Sequence, residues 1–202
     1  MIRALGILLL TLGAGLARGQ TPPDVARPAS WAQPLKLEGA PNLFRITPNL
    51  YRSEQPTALG FRNLEKLGIR TVINLRWFND DRKEAAGTLL RTERVKMLTW
   101  DIDDHHVIAV MRLLKDPANG PYLIHCQHGA DRTGLMSAMY RMLEQGWTTE
   151  DAIAELEGGG YGYHPIWGNI LRYLRSADVG RLRAAIAAPV LSSGSTRTVT
   201  DN

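Results

Sequence analysis

The 202-residue chain holds a single cysteine, Cys126. That excludes an intramolecular disulfide framework and any Cys-rich zinc ribbon. No Lys/Arg-rich run occurs, so although Lys and Arg number 24 against 20 Asp and Glu, the net charge of +4 is too diffuse to grip a nucleic-acid backbone. No internal repeat is visible. The apolar run from Ala4 to Ala17 falls short of the about 20 residues that a membrane span needs. With 44% hydrophobic and 22% charged residues, wholesale disorder, collagen and coiled coil are excluded as well. What is left, at this length, is one globular domain.

The N-terminus reads as an address. Met1 to Arg3 make a short positive start, Ala4 to Ala17 are rich in leucine, and Ala17-Arg18-Gly19 sets small residues where a signal peptidase reads them. Residues 1–19 are therefore expected to be a secretory signal peptide, with an uncleaved anchor as the alternative. No cysteine lies near the cleavage point, which excludes lipid attachment there. A periplasmic or secreted location follows, with no stable membrane anchor after cleavage. Residues 20–42 carry Pro22, Pro23, Pro28, Pro34 and Pro41 and read as an extended leader. The compact domain is expected over 43–190, and the Ser/Thr-rich residues 191–202 as a disordered tail.

Within the domain, strand-type and helix-type patterns alternate. Leu43 to Ile46 and Leu50 to Arg52 predict a hairpin around Pro48-Asn49. Thr57 to Leu67 predict a helix that Gly68 stops. Thr71 to Leu75 have the signature of a buried strand, and Val95 to Trp100 a weaker one. Asp103 to Lys115 place Val107, Ile108, Met111 and Leu114 at helical spacing. Tyr122 to Ile124 form a short strand. Two further helices are predicted, over Thr133 to Gln145 and from the cap Thr148 to Glu157. This alternation argues for an α/β domain with a central, mostly parallel sheet of about four to five strands flanked by helices.

The chemistry is concentrated in His125-Cys126-Gln127-His128-Gly129-Ala130-Asp131-Arg132-Thr133-Gly134, between a strand and a helix, where α/β sheets hold their ligands. A tight loop entering a helix aims the backbone N–H groups of Gln127 to Arg132 into one concavity, and the helix dipole adds positive potential. That is a cradle for a tetrahedral dianion, to which Arg132 adds a two-pronged charged hydrogen bond. Gly129 lets the loop bend and Gly134 lets the helix start pack closely. The same field favours the thiolate of Cys126 over the thiol, so the group that binds phosphate also prepares a nucleophile to attack it. The expected intermediate is a cysteinyl phosphate, later released to water. Thr133 is placed to donate its hydroxyl to the sulfur and ease that release. Such a pattern arises by chance on the order of once in several hundred thousand such chains.

The segment carries the Cys-x5-Arg-Thr/Ser signature of the cysteine-dependent protein tyrosine phosphatases. The chain resembles their compact dual-specificity branch, and with a signal in front it is most similar to small bacterial periplasmic phosphatases of the TpbA type. Asn49 to Pro56, Thr71 to Arg76 and the helix running to Gly146-Trp147 extend the similarity over about Leu43 to Asp178. The resemblance implies a dual-specificity phosphatase-like fold that hydrolyses phosphotyrosine in proteins. The mature chain is too short for the larger tyrosine-specific fold, so a shallower cleft is expected, one that could also admit phosphoserine and phosphothreonine. It further implies a general acid in a loop some 20–35 residues upstream of Cys126, where Asp101, Asp103 and Asp104 stand. Asp103 and Asp104 directly precede a helical pattern and read better as caps, which favours Asp101 without removing the other two.

His125 is expected to support the loop by hydrogen bonding, and His128 to touch substrate or point to solvent. His164 has no assignable role. Asp131 beside Arg132 should face away from the anion. Asp101, Asp103, Asp104, His105 and His106 could together suggest a metal, but no regular ligand spacing recurs, and the cysteine mechanism needs neither metal nor cofactor. Tyr161 and Tyr163 could line the cleft, and Arg52, Arg76 and Arg82 could guide an anionic substrate. The expected partner is a phosphoprotein or phosphopeptide, acted on by a monomer. Related scaffolds that take inositol phosphates use lysines in this loop, which are lacking here.

Overall fold

The computed structural model describes residues 27–189. The signal peptide expected at 1–19, the first residues of the leader, and the tail expected at 191–202 lie outside the described residues. Six strands form one sheet: β1 (Gln33–Pro34), β2 (Phe44–Thr47), β3 (Leu50–Ser53), β4 (Thr71–Arg76), β5 (Arg91–Met97) and β6 (Tyr122–His125). The helices are α1 (Ala58–Lys66), α2 (Asp104–Leu114), α3 (Asp131–Glu144), α4 (Thr149–Gly158), α5 (Gly168–Ser176) and α6 (Val179–Ala187).

Spatial order across the sheet is β1-β2-β3-β6-β4-β5. The β2–β3 hairpin and β1 pair antiparallel, whereas β3–β6, β6–β4 and β4–β5 pair parallel. Helix α1 lies in the crossover from β3 to β4 and α2 in that from β5 to β6, whereas β4 runs on to β5 without a helix. The central strands β4 and β6 are buried on both faces. Alternation along the central strands divides the core accordingly. Ile73, Leu75, Tyr122 and Ile124 face the cluster built with α2 to α6, while Val72 and Leu123 face Phe61 and Leu64 of α1.

Helix boundaries follow their capping chemistry. Thr57 Oγ1 accepts from Gly60 N to start α1, and Thr148 Oγ1 accepts from Asp151 N to start α4. Asp103 caps α2 in a reciprocal box with His106. Strand β5 begins at Arg91, four residues ahead of its expected start. As an edge strand with one neighbour it tolerates the outward charges of Arg91, Glu93 and Lys96, which hide it from an apolar pattern. The sheet exceeds the expected four to five strands because β1 adds to the hairpin.

That strand comes from the segment read as a leader. Ala32 and Ala40 are buried, Arg27 donates to the carbonyls of Ala32 and Gly159, and Ala32 N donates to Glu155 Oε1 at 2.6 Å. From Arg27 onward the leader therefore lies against the domain. No helix among the described residues is long and apolar enough to cross a membrane.

Candidate active site

Strand β6 delivers its last residue, His125, and the chain then turns through Cys126 to Ala130 into α3 at the carboxyl edge of the parallel strands. Cys126 is 2% exposed. The amides of Gln127, His128, Gly129 and Ala130 donate to no other described group, and Ala130 begins α3 without a side-chain cap. The loop thus keeps a set of N–H donors at a helix N-terminus, an arrangement suited to an anion.

Two glycines make this geometry possible. Gly129 sits at φ +67, and a Cβ there would stand 2.5 Å from the backbone of Ser53 and Glu54. A Cβ on Gly134 would come within 2.3 Å of Leu156 Cδ1, so the first turn of α3 rests directly on α4.

Several side chains brace the loop from behind. His125 is fully buried, with Nε2 2.9 Å from Asp81 Oδ2 and Nδ1 3.2 Å from the Cys126 carbonyl oxygen. Asp81 also accepts from Gln55 Nε2 and Asn74 Nδ2. Burial works to raise the pKa of its carboxyl, but the bonds from His125, Gln55 and Asn74 outweigh that and hold it below the usual value. Arg52, grouped in sequence with Arg76 and Arg82 as a guide for substrate, is instead 1% exposed, and its Nη2 donates to the Gly129 carbonyl at 2.7 Å. Its guanidinium lies 3.7 Å from the ring centroid of Tyr161. Tyr161 is buried too, so it supports Arg52 rather than lining a cleft. Arg82 pairs with Asp80 at the surface, and Arg76 bonds Gln55 and Asn79.

Arg132 reaches across the strand ends, its Nη1 3.5 Å from the Leu75 carbonyl and 3.3 Å from that of Met97, while its buried Nε has no partner. Thr133 Oγ1 is likewise buried without a partner, which leaves its hydroxyl available as a donor. The Asp131 carboxylate accepts from His164 N at 3.0 Å.

Among the three candidate acids, Asp103 is committed to the cap of α2, where it accepts from His105 N and His106 N. Asp104 accepts from the Tyr173 hydroxyl at 2.8 Å and pairs with Arg181. Asp101 is exposed, and its carboxylate makes no hydrogen bond or ion pair among the described residues. Its backbone closes a turn with Leu98 at the end of β5. Asn169 Nδ2 holds the Thr99 carbonyl at 2.8 Å and Trp100 stacks on Trp167, which pins that turn to the start of α5. Asp103, His105 and His106 lie close enough to share a cation, but the cap uses their carboxylate.

Sequence reasoning did not find Asp81, Asn169 or the buried role of Arg52. Each acts through a partner distant in sequence. For Arg52 the only local signal was a charged residue flanked by strand-forming ones.

A model of the tyrosine phosphatase family matches residues 40–158. The chain is 37% identical over 185 residues to the dual specificity protein phosphatase TpbA of Pseudomonas aeruginosa, covering 90% of this chain and 84% of the relative. A crystal structure of P. aeruginosa TpbA in a cysteine-to-serine form, in complex with phosphotyrosine, superposes with a TM-score of 0.72 at 36% identity, over 81% of this chain and 99% of the other. The catalytic core of the Saccharomyces cerevisiae phosphatase Siw14 shares the fold, with a TM-score of 0.62 at 21% identity over 74% of this chain and 94% of that one.

Proposed function

The chain belongs to the tyrosine phosphatase family, and we propose that it hydrolyses phosphotyrosine in proteins through a cysteinyl phosphate on Cys126. One observation carries this: Cys126 lies in a loop whose amides are unclaimed, at an uncapped helix N-terminus, with Arg132 Nε unpartnered in the first turn of that helix. The donors match the three outer oxygens of a phosphoryl group, where charge gathers as the bond to the leaving oxygen breaks.

In the first half-reaction Cys126 Sγ attacks phosphorus while the loop amides and Arg132 hold the oxygens. Asp101 gives its proton to the departing phenolate oxygen. The phosphorus–oxygen bond breaks and a phosphorus–sulfur bond replaces it. In the second half-reaction Asp101 takes a proton from water, which attacks phosphorus and releases Cys126 and inorganic phosphate. Thr133 Oγ1 donates to the sulfur as it leaves. Asp101 is favoured as the acid because the carboxylates of Asp103 and Asp104 are otherwise engaged. His125 positions the loop, and Asp131 contributes its backbone amide to the cradle. Phosphoserine and phosphothreonine are the further substrates of the same cleft. Export to the periplasm or beyond completes the proposal, supported by the sequence of residues 1–19.

Phosphate release by the mature protein is to be compared on phosphotyrosine, phosphoserine and phosphothreonine peptides and on inositol phosphates. A kcat/KM highest for phosphotyrosine peptide is expected. A preference for inositol phosphates would overturn the protein-substrate assignment, and no turnover of any of them would overturn the enzyme.

A further inference from the structure

His128, Asp131 and His164 present ligand atoms that all lie within 4.8 Å of one another. They come from three places: the loop after β6, the first residue of α3, and the connection between α4 and α5. The Asp131 carboxylate is nearly buried, at 7% exposure for the residue. Its Oδ1 accepts from His164 N at 3.0 Å, and the His164 ring Nδ1 stands 3.1 and 3.0 Å from its two oxygens. The ring of His128 meets that of His164 edge to face, with centroids 5.7 Å apart.

We propose that these three side chains form a Zn2+ site beside the phosphate loop, and that the bound ion reversibly inhibits turnover. Two imidazoles and a carboxylate are a borderline-soft donor set, one that zinc accepts with a fourth position left open. With zinc–nitrogen and zinc–oxygen bonds of about 2.0–2.2 Å, tetrahedral ligand atoms stand roughly 3.3 Å apart. Asp131 and His164 therefore need to open by only a few tenths of an ångström. A proton carried on Nδ1 relocates to Nε2, and the exposed His128 closes the set by rotating. The backbone on which this occurs is already fixed. Arg52 holds Gly129, Asn42 Nδ2 donates to the His128 carbonyl at 2.9 Å, and Asp131 holds the amide of His164.

The other His/Asp cluster does not offer the same. Recruiting Asp103, His105 and His106 would dismantle the cap of α2, whereas the bonds of Asp131 are to His164, itself a ligand. Inhibition follows from position. An ion tying His128 to His164 narrows the approach to a loop that must admit a bulky phosphoester. That consequence rests on the phosphatase assignment; the binding does not.

The test is calorimetric titration of ZnCl2 into the full chain bearing Cys126→Ser, which removes the competing thiolate. One ion per chain is expected, with affinity falling at least about 10-fold when His128→Ala or His164→Ala is added. In parallel, Zn2+ should inhibit the Cys126 enzyme, EDTA should reverse it, and His164→Ala should raise the inhibitory concentration by a similar factor. Three results would overturn the site: no binding, binding indifferent to both histidine substitutions, or binding lost with His105→Ala instead. Binding at these histidines in a chain that turns over no phosphoester would support the site while refuting the phosphatase assignment.

Discussion

Arg52 Nη2 donates to the carbonyl oxygen of Gly129 across 2.7 Å, from a guanidinium almost wholly removed from solvent. A cation fastened to the back of the phosphate loop turns that carbonyl away from the anion. It also adds positive potential behind Cys126. Burial lowers the pKa of the guanidinium to about 10, still well above neutrality, so it stays charged.

Arg52→Met should therefore lower kcat by about 100-fold, the scale on which small misplacements of reacting groups act. A positioning role predicts partial rescue by Arg52→Lys and weaker vanadate binding in step with the lost turnover. Steady-state kinetics with vanadate inhibition reads both. Unchanged kcat in a folded Arg52→Met protein would contradict the role.

Gly129→Ala meets a wall of backbone and a left-handed φ together. The conformational part alone costs about 1–2 kcal/mol, and the contact at 2.5 Å forces the loop off Ser53. Phosphate affinity and activity should collapse while a near-native circular dichroism spectrum persists. Wild-type turnover would show that the loop has room to spare.

Asp101→Asn removes the proposed proton donor and should lower kcat on phosphotyrosine peptide by about 100-fold or more. On para-nitrophenyl phosphate, whose leaving group needs less protonation, the loss should be smaller. Equal losses on both would move the acid role to Asp103 or Asp104.

Acid should weaken the fold through Glu155. Its carboxylate accepts from Arg141 Nε at 2.7 Å, Ala32 N at 2.6 Å and the Tyr161 hydroxyl at 2.9 Å. Burial pushes its pKa up, but those bonds win and leave it below the ordinary 4.5. A group depressed on folding contributes stability that is whole above its unfolded pKa and is lost as pH falls through the folded one. Melting temperature should thus fall as pH drops below about 4.5, with a shallower slope in Glu155→Gln. A parallel slope in both proteins would remove Glu155 from the acid transition.

The central strands and the loop were legible in the sequence because both are local. Val72, Ile73 and Leu75 announce burial by composition, and the Cys-to-Gly segment encodes its turn, its cation and its nucleophile within ten residues. Strand β1 was hidden in a proline-rich stretch, where Pro34 is tolerated at a sheet edge. Helices α5 and α6, nine residues each, were not assigned from the sequence; they bury Ile170 and Leu174, and Leu182 and Ile186, one i,i+4 pair each. Asp178, which caps α6, was the available signal. Asp81 looks no different in sequence from its neighbour Asp80. Only the fold takes one to His125 and leaves the other at the surface with Arg82.

The measurement that bears most directly on the account is turnover and binding of a phosphotyrosine peptide by Cys126→Ser beside the unsubstituted chain. The account predicts that hydrolysis disappears while the peptide still binds, because the loop amides and Arg132 remain in place. Hydrolysis surviving the loss of the Cys126 sulfur would contradict it.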